Sequence, residues 1–148
     1  MIFREAQTAD IPQIQIVRNT VTENTLSDPS LVPDADVKDY ITRRGKGWVS
    51  ETDAVIIGFS IISVIDKNVW ALFVRPGYDR QGMGRRLHDV MMDWYFSYTS
   101  ETAWLGTVPG TRAEGFYRKA GWIETGIYGK GEIKFEMTSA RWADRVKL

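Results

Sequence analysis

Two glycines at alternate positions, Gly82 and Gly84, stand among the basic residues Arg75, Arg80, Arg85 and Arg86. The residues before them, Val69 to Val74, form an apolar run, and Pro76 marks a turn between the two. After Gly84 comes a long amphipathic segment. That order reads strand, glycine loop, helix. The first N–H groups of a helix have no internal partner, and the helix dipole adds partial positive charge there. The ligand that suits such a loop is a pyrophosphate. Glycine lets backbone approach the phosphates closely, which explains Gly82 and Gly84, whereas Met83 between them is free to vary.

A second stretch with chemical potential runs from Pro109 through Gly110, Arg112, Ala113, Phe116 and Tyr117 to Gly121 and Trp122. By spacing alone Tyr117 is a core aromatic on one helix face with Ala113 and Phe116. The only histidine, His88, falls off the apolar stripe of its helix and reads as a solvated surface residue. There is no cysteine, hence no disulfide, no thiolate metal site and no cysteine nucleophile. No metal is expected. Trp94, Trp104, Trp122 and Trp142 read as core and edge packing, because no basic stripe accompanies them.

These residues need a scaffold, and 148 residues provide one domain with a sizeable core. Nineteen basic residues balance nineteen acidic ones, which removes the global electrostatic case for nucleic acid or an anionic membrane. No run reaches the ~18 apolar residues of a membrane span, and the N-terminus lacks an apolar signal region. The expectation is a soluble cytoplasmic protein.

Periodicity supplies the elements. A short strand over Ile2 to Ala6 precedes a helix that Thr8 or Asp10 can cap, with Ile11, Ile14, Val17 and Val21 on its apolar face. A loop covers Leu26 to Pro33. A second helix runs from Asp34 to Gly45, with Asp34 and Asp36 as capping acids. Gly47 to Glu51, Val55 to Ile65 and Val69 to Val74 are successive antiparallel strands. The helix after Gly84 puts Leu87, Val90, Met91, Trp94 and Tyr95 on one face. A strand over Ala103 to Val108, a short helix over Thr111 to Lys119, and strands over Trp122 to Tyr128 and Glu132 to Met137 follow. The fold class is α+β: a mixed, mostly antiparallel sheet of about seven strands flanked by four helices, with Ser139 to Leu148 as a tail.

The glycine loop from Pro76 to Gly84 with Arg85, Arg86 and Leu87 resembles the acetyl-CoA pyrophosphate loop of the GNAT superfamily of N-acetyltransferases. The stretch Pro109 to Trp122, an alanine followed by Phe-Tyr and then Gly-aromatic, is similar to that family's second motif. Element order agrees from Ile2 to about Met137. The resemblance implies a sheet split between its fourth and fifth strands, with the pantetheine arm of acetyl-CoA paired to the backbone of Phe73 and Val74. It implies a pyrophosphate held by Arg80, Gln81, Gly82, Met83, Gly84, Arg85 and Arg86, and a 3′-phosphate met by Arg112. It also implies Tyr117 as the general acid that protonates the departing thiolate. The chain departs from the pattern at Asp79, where the family usually has Gln or Arg, and at Gly110, where it often has Asn.

The implied function is an N-acetyltransferase in which a primary amine of a small molecule or peptide attacks acetyl-CoA directly, within a ternary complex. The alternative is a non-catalytic acyl-CoA-binding sensor of the same fold, and Tyr117→Phe would separate the two. A dinucleotide-binding domain fails because no repeated βαβ halves surround the loop. No general base is assigned; Glu23, Asp28, Asp66 and a backbone-held water are the candidates. In relatives the first two helices and the loop between them shape the acceptor side, here Thr22 to Tyr40. Asp28, Asp34, Asp36 and Asp39 make it acidic, which suits a cationic amine, with Tyr40 and Trp48 expected to line the same pocket. Relatives are often homodimers through their final strands, and Trp142 reads as an exposed residue available to a partner or to its own subunit.

Overall fold

A computed structural model describes residues 1–20, 32–78 and 82–145. Seven strands form a single sheet in the order β1-β2-β3-β4-β5-β7-β6. They are β1 (Ile2–Glu5), β2 (Gly45–Thr52), β3 (Val55–Ser63), β4 (Asn68–Val74), β5 (Ala103–Thr107), β6 (Ile123–Tyr128) and β7 (Glu132–Met137). All pairings are antiparallel except β4 with β5, which is parallel. The helices are α1 (Ile11–Thr20), α2 (Asp34–Asp39), α3 (Met83–Tyr98), α4 (Arg112–Lys119) and α5 (Ser139–Arg145). The expected mixed sheet and the split between β4 and β5 are present, with five helices rather than four.

The strand β3 is a nearly unbroken apolar run because helices cover both its faces. On one face Ile14 and Val17 of α1 and Val37 of α2 pack with Val49, Phe59 and Ile61. On the other, Leu87, Met91 and Tyr95 of α3 pack with Ile57, Leu105 and Phe135. The expected helix from Asp34 to Gly45 is shorter: α2 ends at Asp39 and Tyr40–Arg44 continues as one π-helical turn. Neither Asp34 nor Asp36 caps it, since Pro33 occupies the N-cap without a side-chain bond. Asp34 instead accepts a bond from the Gln15 side-chain amide at 3.2 Å.

The chain after β7 is a helix docked on its own subunit. Trp142 is buried, and its indole N–H donates to the Asp93 carboxylate at 2.9 Å. The reading of Trp142 as exposed is thereby corrected: α5 folds back over α3, and the ring joins the core beside Phe96.

His88 is a second correction. It is fully buried, at 0% exposure, among the rings of Phe116, Tyr117, Trp122 and Trp142. The apolar stripe underestimated it because α4, the start of β6 and α5 cover the flank of α3 that a lone helix would leave wet. The indole N–H of Trp122 can only donate, so His88 Nε2 accepts that bond at 2.9 Å. Its Nδ1 then carries the proton and donates to Asp89 at 2.8 Å. Burial pushes the His88 pKa below its ordinary 6.5, although Asp89 opposes that shift. The folded state therefore binds fewer protons than the unfolded chain. Its contribution to stability is present above about pH 6.5 and is lost as the pH falls below that value. Because His88 is the only histidine, no other side chain has an ordinary pKa between about pH 7 and 5.5. Denaturant melts across that interval should show stability falling with acid, with a flatter profile in His88→Gln. A flat wild-type profile would refute the assignment.

Candidate active site

The strands β4 and β5 share a single register pair, Asn68 with Trp104, reinforced by the Trp104 N–H bond to the Lys67 carbonyl at 2.9 Å. From Val69 to Val74 the edge of β4 facing β5 has no ladder partner among the described residues, while β5 stays paired to β7 along its length. The sheet thus opens as a wedge that widens toward Val74. Backbone polar groups along such an edge need partners from outside the sheet.

The mouth of the wedge is built by α3 and α4. Gly82 is the N-cap of α3 with φ 73°, a left-handed conformation that glycine adopts without strain. Among the described residues, a Cβ built on it would meet nothing within 4 Å. A Cβ on Gly84 would lie 3.7 Å from Val74 and 3.8 Å from Phe116. The helix start, the end of β4 and the α4 aromatic therefore converge. The first N–H groups of α3 point into this opening with the positive end of the helix dipole. No acidic residue occupies the first turn of α3. The donor set of main-chain N–H groups and nearby cations fits a pyrophosphate.

Of the cations expected there, Arg85 and Arg86 are exposed. Arg85 pairs with Asp89 one turn on, at 3.2 Å, and the Arg86 guanidinium lies 4.2 Å from the Phe3 ring centre. Arg112 is exposed at the start of α4. Met83, flanked by the two glycines, is buried in the core. Phe73 and Val74 are half-buried and face opposite sides of the sheet, Phe73 with α1 and Val74 with α3. Asp79, Arg80 and Gln81 lie outside the described residues, as do Glu23 and Asp28.

Tyr117 of α4 is buried against Phe116, Trp122 and Phe135, with ring centres 5.2, 5.7 and 6.4 Å away. Burial alone pushes the phenol pKa well above its ordinary value, so the group stays protonated at any neutral pH.

On the other face of the sheet lies an open trough of about 620 Å³. Its α2 side is made by Asp36, Asp39, Tyr40 and Arg44, and its floor by Asn68 and Trp70 of β4. Trp104 and Tyr128 close the far side, meeting edge to face at 4.8 Å. The Tyr128 ring can lie across β5 because Gly106 has no side chain: a Cβ there would be 2.8 Å from the ring. With Asp66, three carboxylates line the trough against one guanidinium among the described residues. Two are committed, since Arg44 binds Asp39 at 2.8 Å and Asp66 at 3.1 Å. Asp66 also accepts from the Ser63 hydroxyl at 2.9 Å.

The structure does not bring Tyr40 and Trp48 together. Tyr40 stacks on Trp70 with ring centres 3.9 Å apart and planes 5° from parallel, beside the trough. Trp48 is buried on the opposite face, edge-on to Trp94 at 5.6 Å. The expected shared pocket is thus corrected, and the cause is strand alternation: β2 turns Trp48 toward α3 and its neighbour Val49 toward α1.

Trp70 was not singled out by its sequence position. In β4, Ala71 pairs with Ile61 and Val69 with Ile62, which leaves Trp70 as the extra residue of a β-bulge. The bulge puts Trp70 on the same side as Ala71 instead of alternating away from it.

The model of the acetyltransferase (GNAT) family matches residues 14–122. No curated protein sequence matches the chain. Among solved structures, the fold is shared with the PaiA N-acetyltransferase of Thermoplasma acidophilum in complex with coenzyme A. That match has a TM-score of 0.80 at 15% identity, covering 93% of this chain and 98% of that one. The ribosomal-protein-S18-alanine N-acetyltransferase of Escherichia coli matches with a TM-score of 0.72 at 19% identity, covering 92% and 90%. An aminoglycoside 6′-acetyltransferase of type Ii gives 0.76 at 17%, covering 94% and 97%. Similarity at these identities establishes the fold.

Proposed function

Because the chain belongs to the GNAT acetyltransferase family, we propose that it transfers the acetyl group of acetyl-CoA to a primary amine of a small molecule or peptide. The observation that carries this reading is the unpaired edge of β4 opening directly onto the N-terminus of α3. An extended, amide-bearing chain ending in a pyrophosphate would satisfy both at once.

In this reading the backbone of Phe73 and Val74 binds the pantetheine amides. The N–H groups around Gly82, Met83 and Gly84 hold the pyrophosphate, with Arg85, Arg86, Arg80 and Gln81 beside it, and Arg112 meets the 3′-phosphate. A main-chain N–H of β4 near Val74 stabilises the negative charge that develops on the carbonyl oxygen. Tyr117 supplies the proton that the departing thiolate needs. The acceptor amine approaches from the trough beside Tyr40 and Trp70, where the acidic lining favours a cationic molecule. It attacks as the neutral amine after losing a proton to water or to a carboxylate of the trough. No covalent enzyme intermediate is needed, in keeping with the absence of cysteine.

Calorimetric titration with acetyl-CoA followed by thiol release from a panel of primary amines tests the reading. Micromolar binding with amine-dependent release of free CoA is the expected result. Binding without turnover of any amine would favour the sensor instead. A folded protein with no affinity for acetyl-CoA would end both.

A further inference from the structure

Arg18, in the last turn of α1, is 7% exposed. Its Nε and Nη2 are sealed from solvent and have no hydrogen-bond partner among the described residues. Arg4, Arg43, Arg44, Arg85 and Arg118, by contrast, each hold a carboxylate within 3.2 Å. Around Arg18 are aromatic rings: its Cζ is 4.9 Å from the centre of Trp70, 5.2 Å from Phe73 and 5.6 Å from Phe59. Cation–π contacts offset part of the cost of desolvating a guanidinium, but they leave its in-plane N–H donors unused. Burial lowers its pKa to about 10, so it still carries its charge at neutral pH.

A buried cation with no carboxylate partner among the described residues is a cost to folding unless a counter-charge arrives. The position of Arg18 indicates from where. Phe73 belongs to the strand edge that opens toward β5, and Trp70 is the bulged residue flooring the trough. Arg18 is therefore packed on the α1 side of β4, against one side chain of the trough floor and one of the open strand. A planar fork of N–H donors walled by apolar rings is matched by a carboxylate, which can accept two parallel bonds in a dry setting.

We propose that Arg18 receives a carboxylate carried by one of the two substrates, on the α1 side of β4. The inference rests on the acyl-transfer reading of the site. The carboxylate belongs either to the acceptor, as in an amino acid, or to the acyl chain, as in a dicarboxylic acyl-CoA. Seated there, it pairs with a charge that no described residue matches and fixes the orientation of the molecule that bears it.

The test compares kcat/KM within matched pairs by release of free CoA. With acetyl-CoA, phenylalanine is set against phenethylamine and lysine against cadaverine. With one fixed amine, succinyl-CoA is set against butyryl-CoA. The wild type should prefer the carboxylate-bearing member of the acceptor pairs or of the acyl pair by at least about tenfold; the pair that responds identifies the source. In Arg18→Met the ratio should fall to near one. Arg18→Lys keeps the charge but loses the fork, so it should retain only a minor part of the preference. Thermal melts establish which variants are folded, and if Arg18→Met is not, Arg18→Lys decides. Turnover of the carboxylate-free amines with no carboxylate preference in any of the three pairs, or a preference that survives Arg18→Met, overturns the inference while leaving the acetyltransferase reading intact. Absence of acetyl-CoA binding overturns that reading, and the inference with it.

Discussion

Gly84→Asp should melt no lower than the wild type while binding acetyl-CoA at least about a hundredfold more weakly, a loss of about 2.7 kcal/mol. The two effects have opposite causes. A Cβ at position 84 would meet Val74 and Phe116 at ordinary van der Waals distance, so the fold itself has room for a side chain. Replacing a helical glycine removes a penalty of up to about 1 kcal/mol, and an aspartate in the first turn complements the helix dipole. For the ligand, both changes are harmful. The side chain fills space that the phosphates need, and its charge faces theirs. Two unit charges about 4 Å apart repel by about 4 kcal/mol at an effective dielectric of 20. Calorimetry at fixed ionic strength, paired with a thermal melt, reads both quantities. Gly84→Ala isolates the steric part and should lose less affinity. Unchanged micromolar affinity in Gly84→Asp would mean that the pyrophosphate does not sit on the start of α3.

Tyr117→Phe should lower kcat by about a hundredfold with little change in the KM for acetyl-CoA or in stability. General acid catalysis contributes roughly 10²- to 10⁴-fold, and a phenol whose pKa burial has raised is a weak acid, which places the effect at the low end. The substitution removes one oxygen that burial alone perturbs, and it leaves the ring contacts with Phe116, Trp122 and Phe135 in place. A loss of stability without a loss of kcat would assign Tyr117 to the core alone. Such an outcome would leave the departing thiolate to be protonated by water.

The glycine start of α3 and the helix itself are legible in the sequence because they depend on neighbours in the chain. A proline-marked turn, Gly82 at a positive φ and the 3.6-residue stripe of α3 are encoded within about twenty residues. The antiparallel strands β2, β3 and β4 follow likewise from apolar runs separated by short turns. The acidic lining of the trough was legible in part, through Asp36 and Asp39. The capping role given to Asp34 and Asp36 was not, since a carboxylate close to a helix start caps it only if the backbone turns it inward, and Pro33 holds that place.

The residues that carry the newer conclusions were invisible for a common reason. Trp70 faces the trough because β4 gains one residue against β3, and a bulge is a property of two strands together. His88 is dry because α4, Trp122 and α5 close over it from distant parts of the chain. Arg18 looks like an ordinary helical arginine until Phe59, Trp70 and Phe73 surround it. The amino-acid sequence by itself determined the order of elements and the family, since periodicity, turn chemistry and helix termini act over short stretches of chain. Only the tertiary structure decided which side of the sheet each aromatic serves and which charges go unpaired. Burial and pairing are set by contacts between residues far apart in sequence, and no local pattern contains them.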